Sequence, residues 1–278
     1  MPQWSPYDRR VVDVPAPLVE RARAFLAGPR DVAAPRHAAT VVLLRDGVDG
    51  PDVYLLRRAG TMAFAPGMHV FPGGSVDPRD SEVETAWAGP PPSAWAGRLG
   101  CDEPLARALV CAAVRETFEE SGVMLAGPDD GDVVADTTSD AWERDRLSLL
   151  DRSQSMAALL AARGLVLRSD LLSAWAHWIT PEFEPRRFDT RFFVAALPVG
   201  QRARDVSGEA DHAAWVPVAT AVSEHLAGRM EMLPPTIAAL RELSAFPDVA
   251  AALAAPRVVR PMLPRLVDDD GVLRLVVE

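Results

Sequence analysis

The stretch from Glu103 to Ser121 limits this chain more than any other, because it reads as a helix that must satisfy two opposed demands. Pro104 suits its first turn, acidic residues stand at its start, and Gly122 supplies a left-handed stop. At about 100° per residue, Glu116, Glu119 and Glu120 share roughly a 100° arc of one face, while Val114 and Phe118 point the other way, toward a core. Three carboxylates so close repel, and like charges four residues apart cost roughly 0.2–0.5 kcal/mol even in water. A divalent cation removes that penalty. Mg²⁺ and Mn²⁺ favour carboxylate oxygen, and such sites commonly hold a substrate phosphate as well. Arg115 lies beside Glu119 and can hold a carboxylate in position. A solvated acidic face is the plain alternative. Against it stands the context, a Pro72-Gly73-Gly74 strand end upstream and a helix that closes within two residues of the last glutamate.

Composition narrows the chemistry further. The 278 residues, 49% of them apolar, are enough to bury a sizeable core. Lysine and asparagine are absent, so all 29 basic residues are arginine. That excludes a Schiff-base lysine, a P-loop lysine and N-glycosylation. A net charge of −10 argues against nucleic acid as a partner, since phosphate neutralisation needs a basic surface. Cys101 and Cys111 are too few for a disulfide framework and lack metal-ligand company. There is no run of 18 apolar residues and no apolar signal-like segment near the start, so the expectation is a soluble, cytoplasmic protein without a membrane partner.

Along the chain, residues 1–35 read as an N-terminal extension containing an amphipathic helix stopped by Gly28-Pro29. Strands are expected at 38–44, 53–57 and 68–71, then at 173–179, 191–197 and 213–217, with a hairpin around the Gly/Pro/Asp turn near residue 48. Residues 81–102, rich in Pro, Gly and Ala and carrying Trp87 and Trp95, read as an inserted loop that either covers a site or forms a homodimer contact. Helices are expected at 103–121, over one stretch from 139 to 163, at 218–227 and after Pro234-Pro235. Residues 244–278 are expected to form a C-terminal extension packed on the domain, with a tail able to end in a hairpin. Strands with helices between and after them imply an α/β layered domain with a mixed sheet.

The segment Arg115-Glu-Thr-Phe-Glu-Glu-Ser-Gly-Val123 resembles the second half of the Nudix signature, and Phe71-Pro-Gly-Gly74 resembles its glycine entry. Gly74 and Arg115 enclose 40 residues where the usual pattern has 13, and Asp80 stands where that pattern has a glutamate. Such an interrupted box is similar to the long Nudix hydrolases related to the peroxisomal coenzyme A diphosphatase. Further matching pieces are residues 55–80, 178–198 and 233–243. The resemblance implies a Nudix-type α/β/α sandwich with a mixed sheet and extra helices, with the Nudix domain at 36–243. It implies Glu116, Glu119 and Glu120 as metal-binding and catalytic carboxylates assisted by Arg115, the Gly74 carbonyl as a further ligand, and Mg²⁺ or Mn²⁺ as cofactor. The general base is one of these carboxylates or an acid on another loop, with Glu182, Glu184 and Glu209 as candidates.

The substrate implied is a small-molecule nucleoside diphosphate derivative. Coenzyme A or an acyl-coenzyme A leads, cleaved to 3′,5′-ADP and a 4′-phosphopantetheine. ADP-ribose, NADH, a nucleotide sugar or a dinucleoside polyphosphate are the rivals within the class, and a catalytically silent nucleotide-binding module is the rival outside it. The motif that often precedes the box in coenzyme A enzymes is matched here at Leu55, Arg58, Ala59 and Gly67, with Ala63 at its second arginine. Arg58 is thus a candidate phosphate contact. Arg186 and Arg187 point in different directions if extended, so one of them is expected to face a ribose 3′-phosphate, with Phe188 flanking a base. An ion pair with Asp189 and a core Phe188 are the structural alternative. Met62, Phe64 and Met68 either touch a pantetheine arm or simply pack.

Overall fold

A computed structural model of the chain describes residues 10–14, 18–28, 32–61, 65–129, 131–205 and 210–277. At its centre is a mixed sheet. Its strands β2 (Arg36–Gly47), β3 (Gly50–Arg58), β9 (Ser173–Ile179), β10 (Phe188–Ala196), β11 (Ala210–Pro217) and β12 (Pro261–Met262) run in the order β11-β3-β2-β10-β9-β12. β10 lies parallel to β2 and β12 parallel to β9, and the other pairs are antiparallel. The unbroken apolar run Val41–Leu44 is fully buried, as a central strand covered on both faces must be. At one end β2 and β3 part. Two short strands fill the gap, β4 (His69–Val70) on β3 and β5 (Gly73–Ser75) on β2, with Gly74 opposite Ala39.

Alternation along these strands feeds two cores. Val41, Leu43, Tyr54, Leu56 and Phe193 face the helices α2 (Pro92–Leu99), α3 (Glu103–Ser121), α4 (Asp140–Leu150) and α5 (Met156–Arg163). Val42, Leu44, Leu55, Phe192 and Val194 face α6 (Val218–Leu226), α7 (Pro234–Leu243) and α8 (Val249–Ala254). The result is the expected α/β/α sandwich. No helix among the described residues is long and apolar enough to cross a membrane.

Two local expectations are corrected. Residues 81–102 are no plain loop: β6 (Trp87–Ala88) joins β8 (Val166–Arg168) and β7 (Ala126–Gly127) in a small sheet, and α2 follows. Pro92 sits in the first turn of α2, and the i,i+4 pair Trp95 and Leu99 is buried beneath it, Trp95 edge-on to Phe193 at 5.7 Å. Trp95 therefore belongs to the core and cannot form a dimer contact. The stretch 139–163 is two helices, separated at Asp151–Ser155 by a turn in which Arg152 takes φ +62°. Near the two ends, β1 (Arg10–Asp13) pairs with β14 (Val272–Val277), which also pairs with β13 (Arg265–Asp269) as the anticipated hairpin. Ala22 of α1 (Val19–Ala27), Leu273, Leu275 and Phe183 pack in one cluster there.

Candidate active site

The site forms where β5 meets the last two turns of α3. Asp102 caps the helix by accepting from Leu105 N at 2.9 Å, and Gly122 ends it at φ +72°, the limits read from the sequence. Val114 and Phe118 are fully buried in the core, Phe118 edge-on to Trp142 of α4 at 5.8 Å, and the opposite, acidic face meets β5. Gly74 allows the approach. A Cβ there would stand 2.5 Å from Glu116 Oε1, so only glycine lets this carboxylate lie against the strand. Gly73 N donates to Glu120 Oε2 at 2.9 Å, fixing the third glutamate to the same strand.

Arg115 organises the cluster. Its Nε and Nη2 grip Asp80 Oδ1 and Oδ2, both at 2.9 Å, and Nη2 also donates to Ser75 O at 3.0 Å. Its Nη1 donates to Glu116 Oε1 at 2.8 Å and to both oxygens of Glu119 at 3.2 Å. Asp80, only 2% exposed, is fixed in turn by a capping box in which Asp77 N donates to its Oδ2 at 2.8 Å. The residue at the interrupted glutamate position is thus the anchor of Arg115. Sequence reasoning missed this role, although the position itself was the signal.

Three buried carboxylates, Asp80, Glu116 and Glu119, share one guanidinium. Each buried ion forfeits several kcal/mol of hydration, and Arg115 cannot offset all three. Burial accordingly pushes Glu116 well up from the ordinary carboxylate range, with Arg115 pulling against it, and raises Glu119 for the same reason. Burial alone would lower the Arg115 pKa, but the carboxylates raise it and keep the group charged.

Hard oxygen donors with excess buried negative charge suit a divalent cation, and Glu116, Glu119, Glu120 and the Gly74 carbonyl are the groups that would hold it. Among the described residues no three such side chains stand in ligating geometry, because Arg115 Nη1 lies between Glu116 and Glu119.

Other elements hold the end of α3. Buried Arg146 of α4 donates from Nη1 to Glu119 O at 2.8 Å, placing a cation at a helix C-terminus. Glu143 aligns it, accepting from Nε at 3.0 Å and Nη2 at 2.6 Å. Arg204 N donates to Ser121 O at 2.8 Å, tying the segment before β11 to the same end. The i,i+3 spacing of Glu143 and Arg146 was visible in the sequence, but nothing there pointed it at α3.

The substrate candidates are scattered. Arg58 ends β3, half-buried, and Phe188 opens β10, also half-buried, at the same end of the sheet as Gly74. Arg186 is exposed. Arg187 is the departure: it is buried, with Nε donating to Thr180 O at 3.0 Å and Nη1 to Ala33 O at 2.8 Å, so its guanidinium clips two backbone segments together. Glu184 is buried and accepts from Arg21 Nη1 at 2.6 Å, and Glu182 is exposed. Met62, Ala63, Phe64 and Glu209 lie outside the described residues.

A family model described as the NUDT19 Nudix domain matches residues 96–243. The acyl-coenzyme A diphosphatases NUDT19 of Xenopus laevis and Homo sapiens are 24% and 27% identical, over 71% and 73% of this chain and 61% and 63% of their own length. The chain thus spans a little under two thirds of these relatives. The crystal structure of a NUDIX hydrolase from Alicyclobacillus acidocaldarius superposes with a TM-score of 0.68 at 30% identity, covering 81% of this chain and 98% of that one. With the glycine strand, the acidic helix face and the mixed sheet all in place, the chain belongs to the Nudix hydrolase family.

Proposed function

We propose that this protein is a divalent-cation-dependent diphosphatase acting on a nucleoside diphosphate derivative, with coenzyme A or an acyl-coenzyme A as substrate. The observation that carries the reading is the convergence of Glu116 on Gly74 and of Glu120 on Gly73, with Glu119 held beside Glu116 by Arg115 and more buried negative charge than Arg115 balances. Mg²⁺ or Mn²⁺ bound there would neutralise the diphosphate and acidify an attacking water. The chain's own residues do the rest. Arg115, locked to Asp80, orients the Glu116 and Glu119 carboxylates, and the Gly73 amide fixes Glu120. The base that takes the water's proton is one of these carboxylates or an acid on another loop. The names of the Xenopus and human relatives support the acyl-coenzyme A substrate.

One observation favours a second reading, in which the substrate is ADP-ribose, NADH or a nucleotide sugar. Arg187, expected to meet a ribose 3′-phosphate, has its guanidinium engaged by the Thr180 and Ala33 carbonyls. Mass spectrometry after incubation with Mg²⁺ and coenzyme A separates the two. Release of 3′,5′-ADP with 4′-phosphopantetheine supports the first. Intact coenzyme A together with cleaved ADP-ribose or NADH supports the second, and no cleavage of any of them leaves a silent nucleotide-binding module.

A further inference from the structure

The turn between α4 and α5 holds an arginine where helix ends favour glycine. Asp151 closes α4 and Arg152 follows at φ +62°, the left-handed conformation that L side chains adopt reluctantly. The turn is not free to relax. Arg79 Nη1 donates to Arg152 O at 3.0 Å and Gln154 O at 3.4 Å, while Ser155 Oγ donates to Glu82 Oε2 at 2.9 Å. Arg79 is itself fixed by two-pronged contact with Asp77, which holds that carboxyl down at about 2. The turn is therefore pinned to the segment that carries Asp80, the anchor of Arg115.

The fold makes little use of the side chain so presented. Its side chain is 78% exposed, and its nearest carboxylate, Asp77 at 3.9 Å, is beyond hydrogen-bond reach and already taken by Arg79. Yet it stands at the cluster's edge: the Asp77 it faces donates its N–H to Asp80 Oδ2 at 2.8 Å, and Asp80 grips the same Arg115 guanidinium that holds Glu119.

We infer that Arg152 is a substrate-contacting residue whose guanidinium receives anionic oxygens of the diphosphate beside Glu119. An arginine fork matches phosphate oxygens in two-point geometry, and a fixed backbone lowers the cost of ordering it. The inference rests on the diphosphatase reading, and it accounts for an arginine kept where glycine would fit the backbone better.

The test exploits that conflict. Arg152→Gly is expected to melt at or above the wild-type temperature, because glycine suits the turn. Its affinity for inorganic pyrophosphate, measured by calorimetry with Ca²⁺ present, is expected to fall about tenfold. Arg152→Lys should fall less, and the gap should narrow at high ionic strength. A merely structural residue would show the opposite pattern, lower stability with unchanged affinity. If wild type binds pyrophosphate and Arg152→Gly matches it within twofold, the inference is overturned while the diphosphatase reading stands. If wild type cleaves coenzyme A or ADP-ribose without measurable pyrophosphate binding, an unchanged KM in Arg152→Gly overturns the inference alone; if it cleaves neither and binds no pyrophosphate, both fall together.

Discussion

Two charge clusters among the described residues, one buried and one half-buried, are built on opposite principles. At the end of α3, three buried carboxylates share the single guanidinium of Arg115. At the ends of β2, β9 and β10, one carboxylate, Asp189, is surrounded by His177 at 2.5 Å, His37 at 3.4 Å and an ion pair with Arg191. Burial pushes Asp189 up as it does the glutamates, but there the His177 hydrogen bond and the Arg191 charge outweigh it and leave the carboxyl low. At α3 burial wins, and Glu116 and Glu119 stay high. A fold that only needs to join three strands balances its charge. A charge left unbalanced marks a place where a ligand completes it.

The largest effect that sharpens this contrast is Glu116→Gln. Turnover should fall about a thousandfold, yet the cation-free protein should keep or gain stability at pH 8, since one uncompensated charge has gone. Steady-state rates and melting curves read the two together, and a variant that loses both would make Glu116 a structural acid. Asp80→Ala comes next. It takes away the partner of Arg115 Nε and one of the two of Nη2, while Glu116 and Glu119 still hold Nη1, so a loss of roughly 1–3 kcal/mol is expected in denaturant unfolding. Activity should drop roughly 10- to 100-fold as Arg115 loses its anchor. At the balanced cluster the signs reverse: Asp189→Asn should cost on the order of 2 kcal/mol while turnover stays within threefold of wild type. A collapse of turnover without loss of stability would place Asp189 in the substrate site.

How much of this the sequence disclosed follows from the range of the interactions. The limits of α3 and its acidic face were legible, because capping, glycine stops and helical periodicity act within a few residues. The approach of Gly74 to Glu116 was legible only through the family resemblance. The Asp80–Arg115 pair was not, since its partners are 35 residues apart and an insertion intervenes. That insertion looked like loop because Pro, Gly and Ala dominate it, yet Trp95 and Leu99 share one buried helix face. For Arg186 and Arg187, strand alternation implied that one would turn inward. It could not reveal that the inward one, Arg187, meets the carbonyls of Thr180 and Ala33 rather than a ligand.

The two clusters should also separate along the pH axis. Glu116 and Glu119 have folded pKa values above the ordinary 4.5, so the stability tied to them is fully present below that value and is lost as pH rises through the raised ones. Asp189 lies below its ordinary 3.8, so its contribution is present above that value and is lost only as pH falls further. Cation-free protein should therefore melt lower at pH 8 than at pH 5, by on the order of 1 kcal/mol, or about 2–4 °C. Mg²⁺ or Mn²⁺ should raise the melting temperature more at pH 8 than at pH 5, because binding to the ionised carboxylates stabilises the folded state by mass action. Glu116→Gln should flatten the slope between pH 5 and 8, and Asp189→Asn should leave it in place. An unchanged slope in Glu116→Gln would mean that the excess charge at α3 is compensated by groups other than a bound cation, and the contrast between the clusters would be lost.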